Sequence, residues 1–190
     1  MSVTVRESLG GLETTQRRLI VAATSAGVVA TIGIVRHADV GALPAFLTFA
    51  VALVVLAAID LECRLLPNRI VYPTTLVTLA LLVVAGATGD DWAMLGRAAL
   101  AGSVAFTAMT TLALISPAGF GMGDAKLSFV IGLVLGWLGW SQLVAGFSIA
   151  FLANATVALA LLATRRITRK DSLPLGPFLA LGAIVVLIVG

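Results

Sequence analysis

Asp60 and Asp124 are the two carboxyl groups of this chain that border long uncharged apolar runs on a common side, each beside a helix breaker. Asp60 closes one run and is followed by Glu62, Arg64 and the pair Pro67-Asn68. Pro67 suits the first turn of a following helix, where its missing N–H is an orphan anyway. Asp60 is therefore expected in the last turn of the preceding helix, where the macrodipole disfavours an anion and a held proton is easier to keep. Asp124 follows Pro117 and the glycines Gly119, Gly121 and Gly123, and precedes Lys126. It opens the next helix, an end that favours a carboxylate, while the glycines leave the backbone free for positive φ. One protonated and one ionised carboxyl in a shared site can activate water for peptide hydrolysis, and such groups titrate as a pair. The plainer alternative is an interfacial acid at each helix end, with Asp124 a simple N-cap.

The other acids offer less. Glu7 and Glu13 stand in the N-terminal tail, Asp171 adjoins Arg169 and Lys170, and Asp39, Asp90 and Asp91 fall between apolar runs. The single cysteine, Cys63, cannot form an intrachain disulfide or a CxxC pair, and the single histidine is His37. No metal site and no cofactor are expected from this inventory.

The elements that must position the two aspartates follow from composition. Only 11% of the 190 residues are charged and the mean hydropathy is +1.12, against about a quarter charged in a soluble domain. Lipid is the solvent that such a chain suits. Uncharged stretches cover 19–35, 40–59, 70–88, 98–115, 127–163 and 172–190. A span takes ~20 helical residues, so 127–163 is divided at the Gly136–Gln142 segment. The expected fold is all-α, a polytopic bundle of six to seven transmembrane helices. It comprises a tail over 1–18 and one membrane domain over 19–190. Arg17 and Arg18 before the first run resemble a signal-peptide flank, but the run is long and lacks a small-x-small cleavage site, so it is expected to be retained.

With the N-terminus in the cytoplasm and seven helices, ten of the twelve Lys and Arg residues fall inside, leaving Arg36 and Arg97 outside. Asp60 and Asp124 then share the cytoplasmic side, and Trp92, Trp137 and Trp140 lie near the outer face. The net charge of +3 is absorbed by this bias and calls for no nucleic-acid partner. A multi-pass protein of the inner (cytoplasmic) membrane is expected, in contact with membrane lipid. Gly102, Ser103, Gly146 and Ala150 suit close helix packing, without indicating which helices meet.

The stretch from Asp60 to Pro67-Asn68 resembles the first catalytic motif of the type IV prepilin peptidases. Gly121-Met122-Gly123-Asp124-Ala125-Lys126-Leu127 resembles their second, the GxGD motif. Pro174-Leu175-Gly176-Pro177 resembles a third, Pro-x-Gly-Pro segment of that family, and the three occur in the family's order. The resemblance implies that Asp60 and Asp124 are catalytic aspartates of a membrane endopeptidase. It would cleave the basic leader of prepilins or pseudopilins at the cytoplasmic face, just before the substrate's hydrophobic helix. Longer members carry a cytoplasmic domain with paired CxxC motifs and N-methylate the new terminus. This chain, without CxxC, resembles the short form found with Flp-type pili, so the peptidase and not the methyltransferase is implied.

Gly121, Gly123, Pro67, Asn68, Pro174, Gly176 and Pro177 are expected to shape the active-site loops. Glu62 is a candidate contact for the basic leader, with a solvated loop acid as the alternative. Lys126 is expected to meet lipid phosphates, with tuning of the aspartates as the alternative. Two other classes stay open: a proton-coupled transporter, which would usually place its acids near the midplane between repeats, and an inactive scaffold with the same motifs. The presenilin type of GxGD protease pairs its motif with Tyr-Asp, whereas Ile59 precedes Asp60 here.

Overall fold

A computed structural model of the chain describes residues 41–63, 68–116, 120–165 and 173–189, apart from the side chains at 58 and 61–63. The expected first span at 19–35, the tail before it, His37, Arg64, Pro67, Pro117, Gly119 and Asp171 lie outside the described residues, as does the side chain of Glu62.

Among the described residues the structure has six α-helices and no strand: α1 (Leu43–Cys63), α2 (Asn68–Gly89), α3 (Trp92–Ile115), α4 (Met122–Leu138), α5 (Trp140–Ala163) and α6 (Gly176–Val189). α2, α3 and α5 are each long and apolar enough to cross a membrane. Large apolar side chains stand exposed on them, among them Leu76, Leu100, Val144 and Leu152. In lipid such faces need no cover, because the tails are as apolar as leucine. The chain is a multi-pass membrane helix bundle.

α4 differs from these three. From Asp124 to Trp137 nearly all of its side chains are buried, including Leu127, Val130, Leu133, Val134 and Leu135. It is the central helix, and the others surround it. At 17 residues it is short for a span, which suits an element whose ends are covered by protein rather than by headgroups.

Glycines set the approach of the neighbours. A Cβ on Gly132 of α4 would stand 2.7 Å from the Gly102 Cα of α3, and one on Gly136 would run into Ala101. On α6, a Cβ at Gly182 would meet the Gly146 carbonyl and lie 3.0 Å from the Ala150 nitrogen of α5. Gly102, Gly146 and Ala150 therefore do pack helices closely, and α3–α4 and α5–α6 are the pairs that meet. Ser103 does not: it is exposed and donates to the Ala99 carbonyl of its own helix.

Helix boundaries follow the expected runs, with one informative difference. α3 starts at Trp92, ahead of the expected 98, and takes Arg97 inside the helix. The guanidinium is absorbed by neighbouring backbone: Nε donates to the Gly136 carbonyl at 2.8 Å and Nη2 to the Trp137 carbonyl. These are last-turn carbonyls of α4, which lack intrahelical partners and favour a cation. The long run 127–163 breaks at Gly139, with φ 157° and ψ 170°, a conformation essentially reserved for glycine. The chain thus reverses between α4 and α5, and Gly146 of α5 returns beside Leu135 of α4. Trp92, Trp137 and Trp140 sit at the Gly139 end of the bundle, opposite the end that carries Asp60 and Asp124.

Candidate active site

Asp60 reaches the interior by periodicity. Along α1, Phe46, Phe49, Leu53 and Leu56 form a fully buried stripe at alternating steps of three and four. Asp60 is the next position of that stripe and is 5% exposed. The helix that buries its apolar face therefore aims this carboxyl into the bundle. A charged group at that depth is costly unless it serves a purpose or finds a partner.

Asp124 arrives from the other direction. It is the third residue of α4 and is 8% exposed. Its Oδ2 accepts the Gly121 N–H at 3.1 Å, while its own N–H donates to the Gly121 carbonyl at 3.1 Å. This reciprocal closure satisfies orphan donors of the helix start and holds the carboxylate over the first turn. Gly121 itself is extended, at φ −88° and ψ 148°, so the positive φ expected of the glycine loop is not used there. A Cβ at Gly121 would meet Asp124 Oδ2 only at ordinary contact distance, 3.4 Å.

The two carboxyls, 64 residues apart in sequence, lie close enough for the Asp60 charge to act on Asp124. The Pro174–Pro177 segment completes the junction. Gly176 opens α6 and is buried, and a Cβ there would stand 3.0 Å from Asp60 Cγ and clash with Oδ2. Leu175 caps the helix by accepting the Phe178 and Leu179 N–H groups, each at 3.0 Å. Pro174 and Pro177 are half-buried on either side. Three helices, α1, α4 and α6, therefore bring together Asp60, Asp124 and Gly176.

Asn68 and Lys126 meet beside this junction. Lys126 Nζ donates to Asn68 Oδ1 at 2.8 Å and lies 5.1 Å from the centroid of the Tyr72 ring. The ammonium is thus held by α2 through a hydrogen bond and a cation–π contact. Tyr72 escaped the sequence reading; its one signal is its place four residues after Asn68, on the same helix face. Phe120 escaped it too. Its ring packs edge-on against Phe151 of α5, with centroids 6.5 Å apart, and so anchors the residue that leads into Gly121. Gly123 lies within the first turn of α4 and is half-buried. Glu62 is placed only as a backbone position in the last turn of α1.

The type IV leader peptidase family matches residues 47–188, a range that reaches from within α1 to within α6. A prepilin leader peptidase/N-methyltransferase of Bacillus subtilis (strain 168) is 32% identical over 145 residues, covering 75% of this chain and 54% of that protein. A protein of the same description from Burkholderia pseudomallei (strain 1026b) is 32% identical over 158 residues, 79% of this chain and 48% of its own length. One from Aeromonas hydrophila is 29% identical over 140 residues, 73% and 47%. The chain spans about half the length of these curated relatives. No solved structure matches it. On the match across most of its length, the chain belongs to the type IV leader peptidase family.

Proposed function

We propose that this chain is a membrane aspartyl endopeptidase that removes the basic leader of prepilins or pseudopilins at the cytoplasmic face, with Asp60 and Asp124 as the catalytic pair. The observation that carries this reading is the convergence of two buried carboxyls from distant helices, one at a helix end and one at a helix start. Two like charges that act on one another favour a single proton between them, the state that aspartic proteases use. The relatives are described as prepilin leader peptidases, which supports the substrate class. The Lys and Arg bias supports the cytoplasmic face for the aspartate end. Peptide cleavage alone is assigned here; the N-methylation in the relatives' description is not.

The proposed reaction needs no group beyond the pair. The ionised carboxylate takes a proton from water, and the hydroxide oxygen bonds to the scissile carbonyl carbon. The protonated carboxyl gives its proton to the carbonyl oxygen, forming a tetrahedral diol. Collapse breaks the C–N bond as a proton passes from the pair to the leaving amine and a diol hydroxyl returns its proton to the pair, which leaves a carboxylic acid and restores the single shared proton. Water and an extended peptide must both reach the pair, and irregular backbone at membrane depth is tolerated where it lines a cavity or packs on protein. The Gly121–Gly123 turn and the Pro174–Pro177 segment are proposed as the walls of that wet opening. Asn68 and Lys126 border it.

Cleavage of a co-expressed prepilin, read as a gel shift, tests the assignment. Wild type should process the substrate, whereas Asp60→Asn and Asp124→Asn, present in the membrane at wild-type levels, should each lose about a thousandfold or more in rate. Processing by either variant at the wild-type rate would show that the pair is wrongly assigned.

A further inference from the structure

Most hydroxyls on these helices satisfy themselves locally. Thr48, Thr75, Thr107, Thr111 and Thr156 each donate to the carbonyl four residues earlier, at 2.7–2.8 Å. Ser128 does not. It is 0% exposed, and its hydroxyl has no hydrogen-bond partner. The Thr78 and Thr110 hydroxyls also lack a partner, but they stand on α2 and α3, which carry neither aspartate. Ser128 is four residues after Asp124, on the same face of α4. A helical side chain leans toward the helix N-terminus, so the Ser128 hydroxyl leans toward the aspartate end.

A second polar group belongs to the same level. Asp124 lies fifteen residues before the reversal at Gly139 and Asn154 fifteen after it. At ~1.5 Å of rise per residue in each helix, the two stand at a common depth, ~22 Å from the reversal. Asn154 also continues the inward stripe of α5. Leu143, Gly146 and Ala150 are the buried residues of that helix, and steps of three, four and four lead from Leu143 to Asn154. Gly146 on that stripe faces Leu135 of α4 and Gly182 and Val186 of α6. Asn154 is half-buried, and its amide makes no hydrogen bond with another described residue. A carboxamide with no protein partner is costly to hold at membrane depth.

Granting the peptidase reading above, we propose that Asn154 and Ser128 bind the main chain of the substrate on the membrane side of the aspartate pair. A carboxamide carries both a donor and an acceptor, as a peptide unit does. An extended segment emerging from a helix brings unpaired N–H and C=O groups that need such partners in lipid. Ser128 lies ~6 Å deeper than Asp124, close to the ~6.6 Å that two extended residues span. Asn154 thus suits the peptide unit next to the scissile bond, and Ser128 the one that follows toward the hydrophobic helix.

The test compares a detergent-solubilised full chain with its variants on a purified prepilin bearing a Lys-rich leader. Asn154→Leu and Ser128→Ala should each raise KM so that kcat/KM falls about tenfold, while the thermal midpoint holds or rises, because an unsatisfied polar group has been removed. Asn154→Ser, shorter and polar, should bind weakly without disturbing the helix, and serves if the leucine variant does not insert. Thr156→Val, on the lipid face of the same helix, should leave kinetics unchanged. Wild-type kcat/KM, within twofold, in both Asn154→Leu and Ser128→Ala overturns the inference while the peptidase reading stands. A fall in the thermal midpoint that parallels the loss of activity assigns both residues to packing and also overturns it. An intact prepilin with wild-type enzyme sinks the peptidase reading and this inference together.

Discussion

The side chain opposite Asp60 is a hydrogen atom. Gly176 is buried where any Cβ would enter the Asp60 carboxyl, so Gly176→Ala must push apart α1 and α6 or turn the carboxyl away. We expect prepilin cleavage to fall at least tenfold with a stability loss of about 1–3 kcal/mol, the usual cost of overpacking. Gly96→Ala is the matched control. It also sits in a helix, but nothing stands within 4 Å of its added Cβ, so it should be neutral or stabilising by about 0.5–1 kcal/mol. Equal activity of Gly176→Ala and wild type in a gel-shift assay would mean that α6 does not bear on the pair. Gly176 is thus small for the sake of a carboxylate, and neither it nor Gly121 uses positive φ.

At the scale of elements, α3 and α4 are held by two different means. Gly102 and Gly132 let the backbones touch along the middle, and Arg97 ties the start of α3 to the carbonyls that end α4. Because α4 carries Asp124, this contact sets the depth of the carboxylate. Gly132→Val would place branched carbons against the α3 backbone, since the Cβ alone already stands 2.7 Å from the Gly102 Cα. We expect thermal unfolding in detergent to report destabilisation by about 1–3 kcal/mol or more, with activity lost in step. A variant as stable as wild type would show that the helices part without cost.

For the whole molecule, the arrangement of charge makes a topological prediction. Arg69, Lys126 and Arg165 belong to the aspartate end of the bundle, whereas Arg97 lies toward the tryptophan end, bonded to backbone. The positive-inside bias predicts an aspartate end in the cytoplasm and a C-terminus outside. An alkaline phosphatase fused after Gly190 should be active and a green fluorescent protein at that site dark. The reverse pair of signals would invert the orientation and remove the aspartates from the side on which a basic leader is held.

Residue types and spacing were enough to establish a membrane helix bundle, the reversal near Gly139 and the two aspartates at helix ends. Each of these rests on local physics: apolar run length against bilayer thickness, the backbone freedom of glycine, and the rarity of acids beside apolar runs. Motif spacing also singled out Asn68, Lys126 and Gly176 as neighbours of the pair, but without a contact for any of them. Tertiary structure decided the rest. That α4 is central, that Gly176 faces Asp60, and that Asn68 and Tyr72 hold Lys126 all depend on which helices meet. Uniformly apolar helices carry almost no amphipathic signal to say so, because lipid and protein interior are alike to a leucine. Partner choice is left to small residues and a few polar atoms, whose meaning appears only once the helices are side by side.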